Sequence, residues 1–155
     1  MSDRSWVLAQ AAVLLAALLY VPLMGAIIEW PLERPSLASV VVGLIVIGAG
    51  FALERHVARL LGAALTPKPT PAPGGTLVQS GAFGWVRHPM YLGVAIIALG
   101  WWLIWPTPPG FAAVVGVIVF FDAKAEREEQ LLREAYPDYP QYAARVRHRV
   151  IPGLV

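Results

Sequence analysis

"WVLAQAAVLLAALLYVPLMGAII", Trp6 to Ile28, decides the class of fold. A secretory signal has an apolar core of about 7–15 residues, placed between a basic segment and a small-residue cleavage site. Here the flank holds Arg4 beside Asp3, and the run is long enough to cross the roughly 30 Å hydrocarbon core of a bilayer. It reads as a retained transmembrane helix, with Pro22 and Gly25 as candidate kinks.

The rest of the composition agrees. Of the 155 residues, 57% are hydrophobic and 14% charged, against about 25% charged in an ordinary soluble domain. The mean hydropathy is +0.61. A chain this small cannot hide so much apolar surface in one core, so an integral membrane protein is expected. There is no cysteine, which removes disulfides, thiolate metal sites and cysteine nucleophiles. A formal charge of +2 is too small and too dispersed to argue for nucleic acid.

Three further apolar runs follow. One extends from about Ser36 to Leu53, with Gly43, Gly48 and Gly50 suited to close helix approach in lipid. The turn before it, "EWPLERPS", is broken by Pro31 and Pro35. Met90–Trp105 and Pro109–Ala123 are the third and fourth, joined by "PTPPG" into a tight hairpin. Both are shorter than the roughly 20 residues of a full span, so extended ends or local thinning of the bilayer are expected. Trp101, Trp102 and Trp105 read as an interfacial belt or as core packing.

Arg55, Arg59, Lys68 and Arg87 lie between the second and third runs. Lys124, Arg127, Arg133, Arg145, Arg147 and Arg149 follow the fourth, whereas the first turn has only Arg34 and "PTPPG" has none. The positive-inside rule puts both termini and the central loop on the cytoplasmic side, consistent with a bacterial inner membrane. The expected architecture is all-α and polytopic, with about four transmembrane helices and a cytoplasmic helical cap. Its divisions are a helix pair over 1–65, a proline-rich linker over 66–76 and a functional unit over 77–155. "TPKPTPAPGG", Thr66 to Gly75, suits an extended spacer. "DAKAEREEQLLREAY" continues the fourth span as a helix, and the tyrosines and arginines after it suit a cap on anionic headgroups.

"GWVRHPMYLG", Gly84 to Gly93, carries chemistry. Arg87 can fork onto a carboxylate or phosphate, and His88 can hold or shuttle a proton. Pro89 suits the first turn of a helix, whose free N–H groups favour an anion. Tyr91 adds an aromatic face, and Gly93 leaves the turn uncrowded. The plainer alternative is that Arg87 and His88 snorkel to headgroups. Glu128 and Glu129 can bind an amine or ribose diol, or simply form a solvated face with pairs such as Glu129–Arg133. His56, His88 and His148 have no metal-ligand spacing, so no metal site is expected.

From Leu77 to Pro152 the chain resembles the isoprenylcysteine carboxyl methyltransferase family. The resemblance rests on "SGAFGWVRHPMYLG", a short hairpin, "EREEQLL" and "YPDYPQYAARVRHRVIP" in that order. It implies a membrane enzyme that uses S-adenosylmethionine at the cytoplasmic face. Arg87, His88, Tyr91, Gly93, Glu128, Glu129, Tyr139, Tyr142 and Arg145 are its implied cofactor residues, with His88 and Arg87 also the implied catalytic pair. The acceptor would be prenylated or lipid-like, reached through the surrounding membrane lipids. It stays open between a carboxylate and another lipid-borne nucleophile, with His88 available as a base for an amine. The competing classes are a non-catalytic scaffold with a lipid-binding cap and a membrane reductase with a nicotinamide cofactor.

Overall fold

The computed structural model describes residues 2–28 and 35–153. The expected turn around Pro31 and Arg34 lies outside the described residues. The fold is helical: α1 Asp3–Ile27, α2 Leu37–Leu61, α3 Pro89–Ile104, α4 Pro108–Ala135 and a short α5 Tyr139–Arg145. α1, α2 and α4 each begin at a side-chain cap. Ser2 and Ser36 accept hydrogen bonds from Ser5 N and Ser39 N, and Thr107 accepts one from Gly110 N at 3.2 Å. Pro108 and Pro109 occupy the first turn of α4, where missing N–H donors cost nothing.

Three helices are long and apolar enough to cross a membrane; α3, at 16 residues, is shorter. At 1.5 Å per residue α3 is about 24 Å long, whereas the 28 residues of α4 reach about 42 Å. The fourth span and its charged extension are one continuous helix, because nothing between Phe111 and Ala135 breaks it. Leu15, Leu19, Ile45, Phe51 and Val119 point outward, as lipid-facing side chains do. The protein is an integral membrane bundle.

α2 packs along α3, α1 along α4, and α3 against α4, so the N-terminal helices interleave with the hairpin. The α2–α3 seam is built on glycine. A Cβ on Gly43 would lie 2.7 Å from Gly100 O, and one on Gly100 would lie 2.8 Å from Gly43 O. A Cβ on Gly50 would lie 3.0 Å from Gly93 O. Gly48 faces open space, so only two of the three glycines in α2 serve the approach. The tryptophans also pack between helices: Trp101 Nε1 donates to Leu18 O at 3.1 Å, and the Trp105 ring fills the space over Gly25.

The C-terminal segment turns its tyrosines toward the protein. Tyr139, Tyr142 and Val146 form a small core with Leu77, Leu132, Tyr136 and Ala143. The tyrosines face inward because α5 spaces Tyr139 and Tyr142 one turn apart against α4.

Candidate functional site

At one end of the bundle, the start of α3, the second half of α4 and α5 enclose a cavity of about 470 Å³. Pro89 opens α3, and His88 before it is held out of helical geometry at φ −124°, ψ 67°. The "RHP" backbone is fastened to the C-terminal segment. Arg87 N donates to His148 O and His88 N to Arg149 O, both at 2.9 Å.

Arg87 is saturated on its inner side. Its Nε donates to Glu129 Oε1 at 2.7 Å, and its Nη1 donates to Val146 O at 2.8 Å and Arg147 O at 2.7 Å. Glu129 is 3% exposed and also lies 3.6 Å from Arg133 and from Arg149. A buried carboxylate is tolerated when cations surround it in this way.

His88 sits between two carboxylates. Nδ1 is 3.4 Å from Glu128 Oε2 and Nε2 is 3.4 Å from Glu129 Oε1. At that length these are charge pairs rather than well-formed hydrogen bonds. Burial alone would lower the His88 pKa, but the combined pull of Glu128 and Glu129 raises it above 6.5. Adjacent glutamates on a helix diverge by about 100°, and His88 meets both by lying between them. The His88 ring stacks on Tyr91 with centroids 5.4 Å apart, and the Tyr91 hydroxyl donates to Glu128 Oε1.

Six of the nine expected site residues line the cavity: Arg87, His88, Tyr91, Glu128, Tyr139 and Tyr142. The other three stand elsewhere. Glu129 lies behind the wall and holds Arg87 and His88. Gly93 is buried at the α2–α3 seam, its missing side chain replaced by the Glu54 carboxyl. Arg145 is exposed and donates to Gln79 Oε1 at 2.7 Å. The tyrosines differ in kind. Tyr142 donates to Phe83 O at 2.8 Å, and burial pushes its pKa up to about 12. The Tyr139 hydroxyl is buried without a hydrogen-bond partner, and burial raises its pKa further.

The cavity is also lined by Gln10 on α1, Glu54 on α2 and Lys124 on α4, none of them in the sequence-based set. Lys124 is 1% exposed; its ammonium donates to Gln10 Oε1 and, at 2.8 Å, to Pro67 O. The proline-rich segment is therefore a wall of the cavity from Leu65 to Ala72, and not only a spacer. The signal for Glu54 and Lys124 was in the sequence. An ionisable residue on or beside a membrane helix is a functional candidate by default.

Over 88 residues the chain is 37% identical to Delta(14)-sterol reductase TM7SF2 of Mus musculus, covering 52% of this chain and 20% of that protein. The chain thus spans about a fifth of the length of that curated relative. The sequence profile of the phospholipid methyltransferase family matches residues 38–139, which cover nearly all of α2 and the whole of α3 and α4. With well over half of its length matched, the chain belongs to the phospholipid methyltransferase family.

Proposed function

We propose that this protein transfers a methyl group from S-adenosylmethionine to a hydrophobic, membrane-resident acceptor, as the isoprenylcysteine carboxyl methyltransferases it resembles do. The observation that carries the reading is the mixed lining of one cavity, in which Arg87, His88, Glu128 and Tyr139 occur together with Leu61, Leu65, Val94 and Phe121. A volume of about 470 Å³ lies within the range of cofactor sites, about 300–1,000 Å³.

The residues suit such a cofactor. The buried Tyr139 hydroxyl and His88 Nε2 lack hydrogen-bond partners, and buried polar atoms are normally satisfied. Glu128 can take an amine or a ribose hydroxyl, while His88 and the outer edge of Arg87 favour a carboxylate. When bound, the cofactor supplies an electrophilic methyl group on a sulfonium sulfur. The chain's own task is to position, to exclude water and to arrange charge. Glu128 and Glu129 beside His88 favour its protonated form. Arg87 acts chiefly by fastening the α3 entrance to residues 146–149. Residues 77–155 carry most of the site, Gln10 and Glu54 add to its wall, 66–76 close it, and the cavity faces the cytoplasm together with the termini.

The test is calorimetric binding of S-adenosylhomocysteine to detergent-purified protein, with His88→Ala and Glu129→Ala alongside. Binding by the unmutated protein that is lost in both variants supports the reading. Folded protein that does not bind sinks it. A second reading, reduction with a dinucleotide, is favoured by the similarity to a sterol reductase. NADPH binding in place of S-adenosylhomocysteine would select it.

A further inference from the structure

Trp85 is 81% exposed, while Val86 beside it is buried. The indole stands on a loop whose backbone is fixed on both sides. A single helical turn, Gly81–Gly84, precedes it, and Trp85 N donates to Ala82 O at 3.1 Å. Three hydrogen bonds tie this stretch to the C-terminal segment. Arg145 Nη2 donates to Gln79 Oε1 at 2.7 Å, the Tyr142 hydroxyl to Phe83 O at 2.8 Å and Arg87 N to His148 O at 2.9 Å. The other side rests on α2, where a Cβ on Gly81 would lie 2.8 Å from Leu60 Cδ1 and 3.2 Å from His56 Nε2. A fixed backbone therefore holds the indole outward.

A lone exposed aromatic on a soluble protein needs no account, but in a membrane protein its level decides what surrounds it. The α2–α3 seam gives that level. Gly43 meets Gly100 and Gly50 meets Gly93, so each step along α2 answers one step back along α3, and Pro89 stands level with Glu54. The apolar run of α2 ends there: Glu54, Arg55 and His56 follow Leu53, and Arg55 and His56 are exposed. With 16 residues α3 is about 24 Å long. The hydrocarbon layer is roughly 30 Å thick, so the entrance to α3 does not stand clear of the bilayer. Trp85 lies just before Pro89 in the chain and so falls at the border of hydrocarbon and headgroups. Tryptophan is favoured at that border, because its ring is apolar and its N–H needs a polar partner. Arg145 and Arg147, on the segment that fastens the loop, are also exposed.

We propose that the Gly81–Trp85 loop is a foot on the membrane: the Trp85 indole lies in the lipid headgroup layer, with Arg145 and Arg147 turned to lipid phosphates. The partner of this surface is the bilayer interface and not another protein. The foot fixes the depth of the "RHP" entrance, since Trp85 and Arg87 belong to one pinned stretch of backbone. It holds whichever reaction the cavity serves.

The chain has no cysteine, so Trp85→Cys can carry a unique nitroxide spin label. The experiment places the labelled protein in nanodiscs of mixed phosphatidylcholine and phosphatidylglycerol. It compares collisions of the label with lipid-soluble oxygen and with a water-soluble nickel chelate. Leu19→Cys, on the outward side of α1, and Asp138→Cys, exposed beyond the end of α4, give the hydrocarbon and aqueous limits. The oxygen-to-nickel ratio at position 85 is expected to exceed that at 138 several-fold and to fall below that at 19. A ratio equal to that at 138 overturns the proposal, because the indole then faces water and is open to a protein partner. A ratio equal to that at 19 overturns it too, because the loop is then sunk in hydrocarbon. A second measurement uses the unmutated protein, in case the substitution disturbs the loop. A phospholipid carrying a diazirine on its headgroup should label Trp85 on irradiation, read by mass spectrometry after proteolysis. Labelling elsewhere in the protein with none at Trp85 overturns the proposal.

Discussion

Arg87 and Glu129, 42 residues apart, meet at 2.7 Å through Nε and Oε1, while Nη1 of the same guanidinium holds the carbonyls of Val146 and Arg147. One side chain thereby joins α3, α4 and the C-terminal segment. Removing one partner of a buried pair costs up to about 3–5 kcal/mol; His88, Arg133 and Arg149 remain beside Glu129 and offset part of that loss. Arg87→Ala is therefore expected to lower the melting temperature in detergent sharply. Arg87→Lys should rescue little of it, because an ammonium cannot reproduce the fork. A Lys variant as stable as the original would contradict this assignment.

The glycine seam makes a second prediction. A methyl at position 100 meets backbone atoms, Gly43 O and Ile47 N, both at 2.8 Å, and a backbone cannot rotate away. Gly100→Ala is expected to destabilise by about 1–3 kcal/mol through overpacking. Gly48→Ala, which faces open space, should be neutral or slightly stabilising, as the propensity scale has it. Thermal unfolding of the two variants side by side checks the contrast.

The two buried tyrosines separate stability from binding. Tyr142→Phe loses the bond to Phe83 O and should cost about 1 kcal/mol. Tyr139→Phe removes a hydroxyl that bonds nothing in the protein, so the melting temperature should hold while S-adenosylhomocysteine binds more weakly. The reverse pattern would move the ligand contact to Tyr142.

His88 has a pKa raised above 6.5 by Glu128 and Glu129, against the opposing effect of burial. A group protonated more readily in the folded state contributes stability that is complete below its unfolded pKa. That contribution is lost as the pH climbs through the folded value. The melting temperature should therefore decline above about pH 6.5, and the decline should flatten in His88→Gln. An identical pH profile in that variant would place the titration elsewhere.

Lys124 ties α1, α4 and the proline-rich segment through Gln10 and Pro67 O. In Lys124→Met the segment from Thr66 to Ala72 loses this tether, and its amides should exchange hydrogen faster while those of α3 do not. Unchanged exchange across the segment would show that proline stiffness alone holds it.

Much of this protein was legible in its residues. The apolar runs gave the four helices, and "PTPPG" gave the hairpin, since lipid allows few alternatives to a helix. The order of Arg87–His88, hairpin and Glu128–Glu129 brought together residues that meet in space. Glu54 escaped because the second run was ended at Leu53, where its apolar character stops, yet no glycine or proline breaks the helix before Gly62. Lys124 escaped because a lysine in a charged helix resembles a solvated one. The inward turn of Tyr139 and Tyr142 depended on contacts with Leu77 and Leu132 that no local pattern encodes.

The fastening of Arg87 and His88 to His148 and Arg149 also sets an order of events during synthesis. The helices can enter the bilayer as each is made, but the entrance to α3 stays loose until residues some sixty positions later leave the ribosome. The cavity is thus completed by late-emerging residues, and a nascent chain halted before Val146 is expected to be inserted yet unable to retain its ligand.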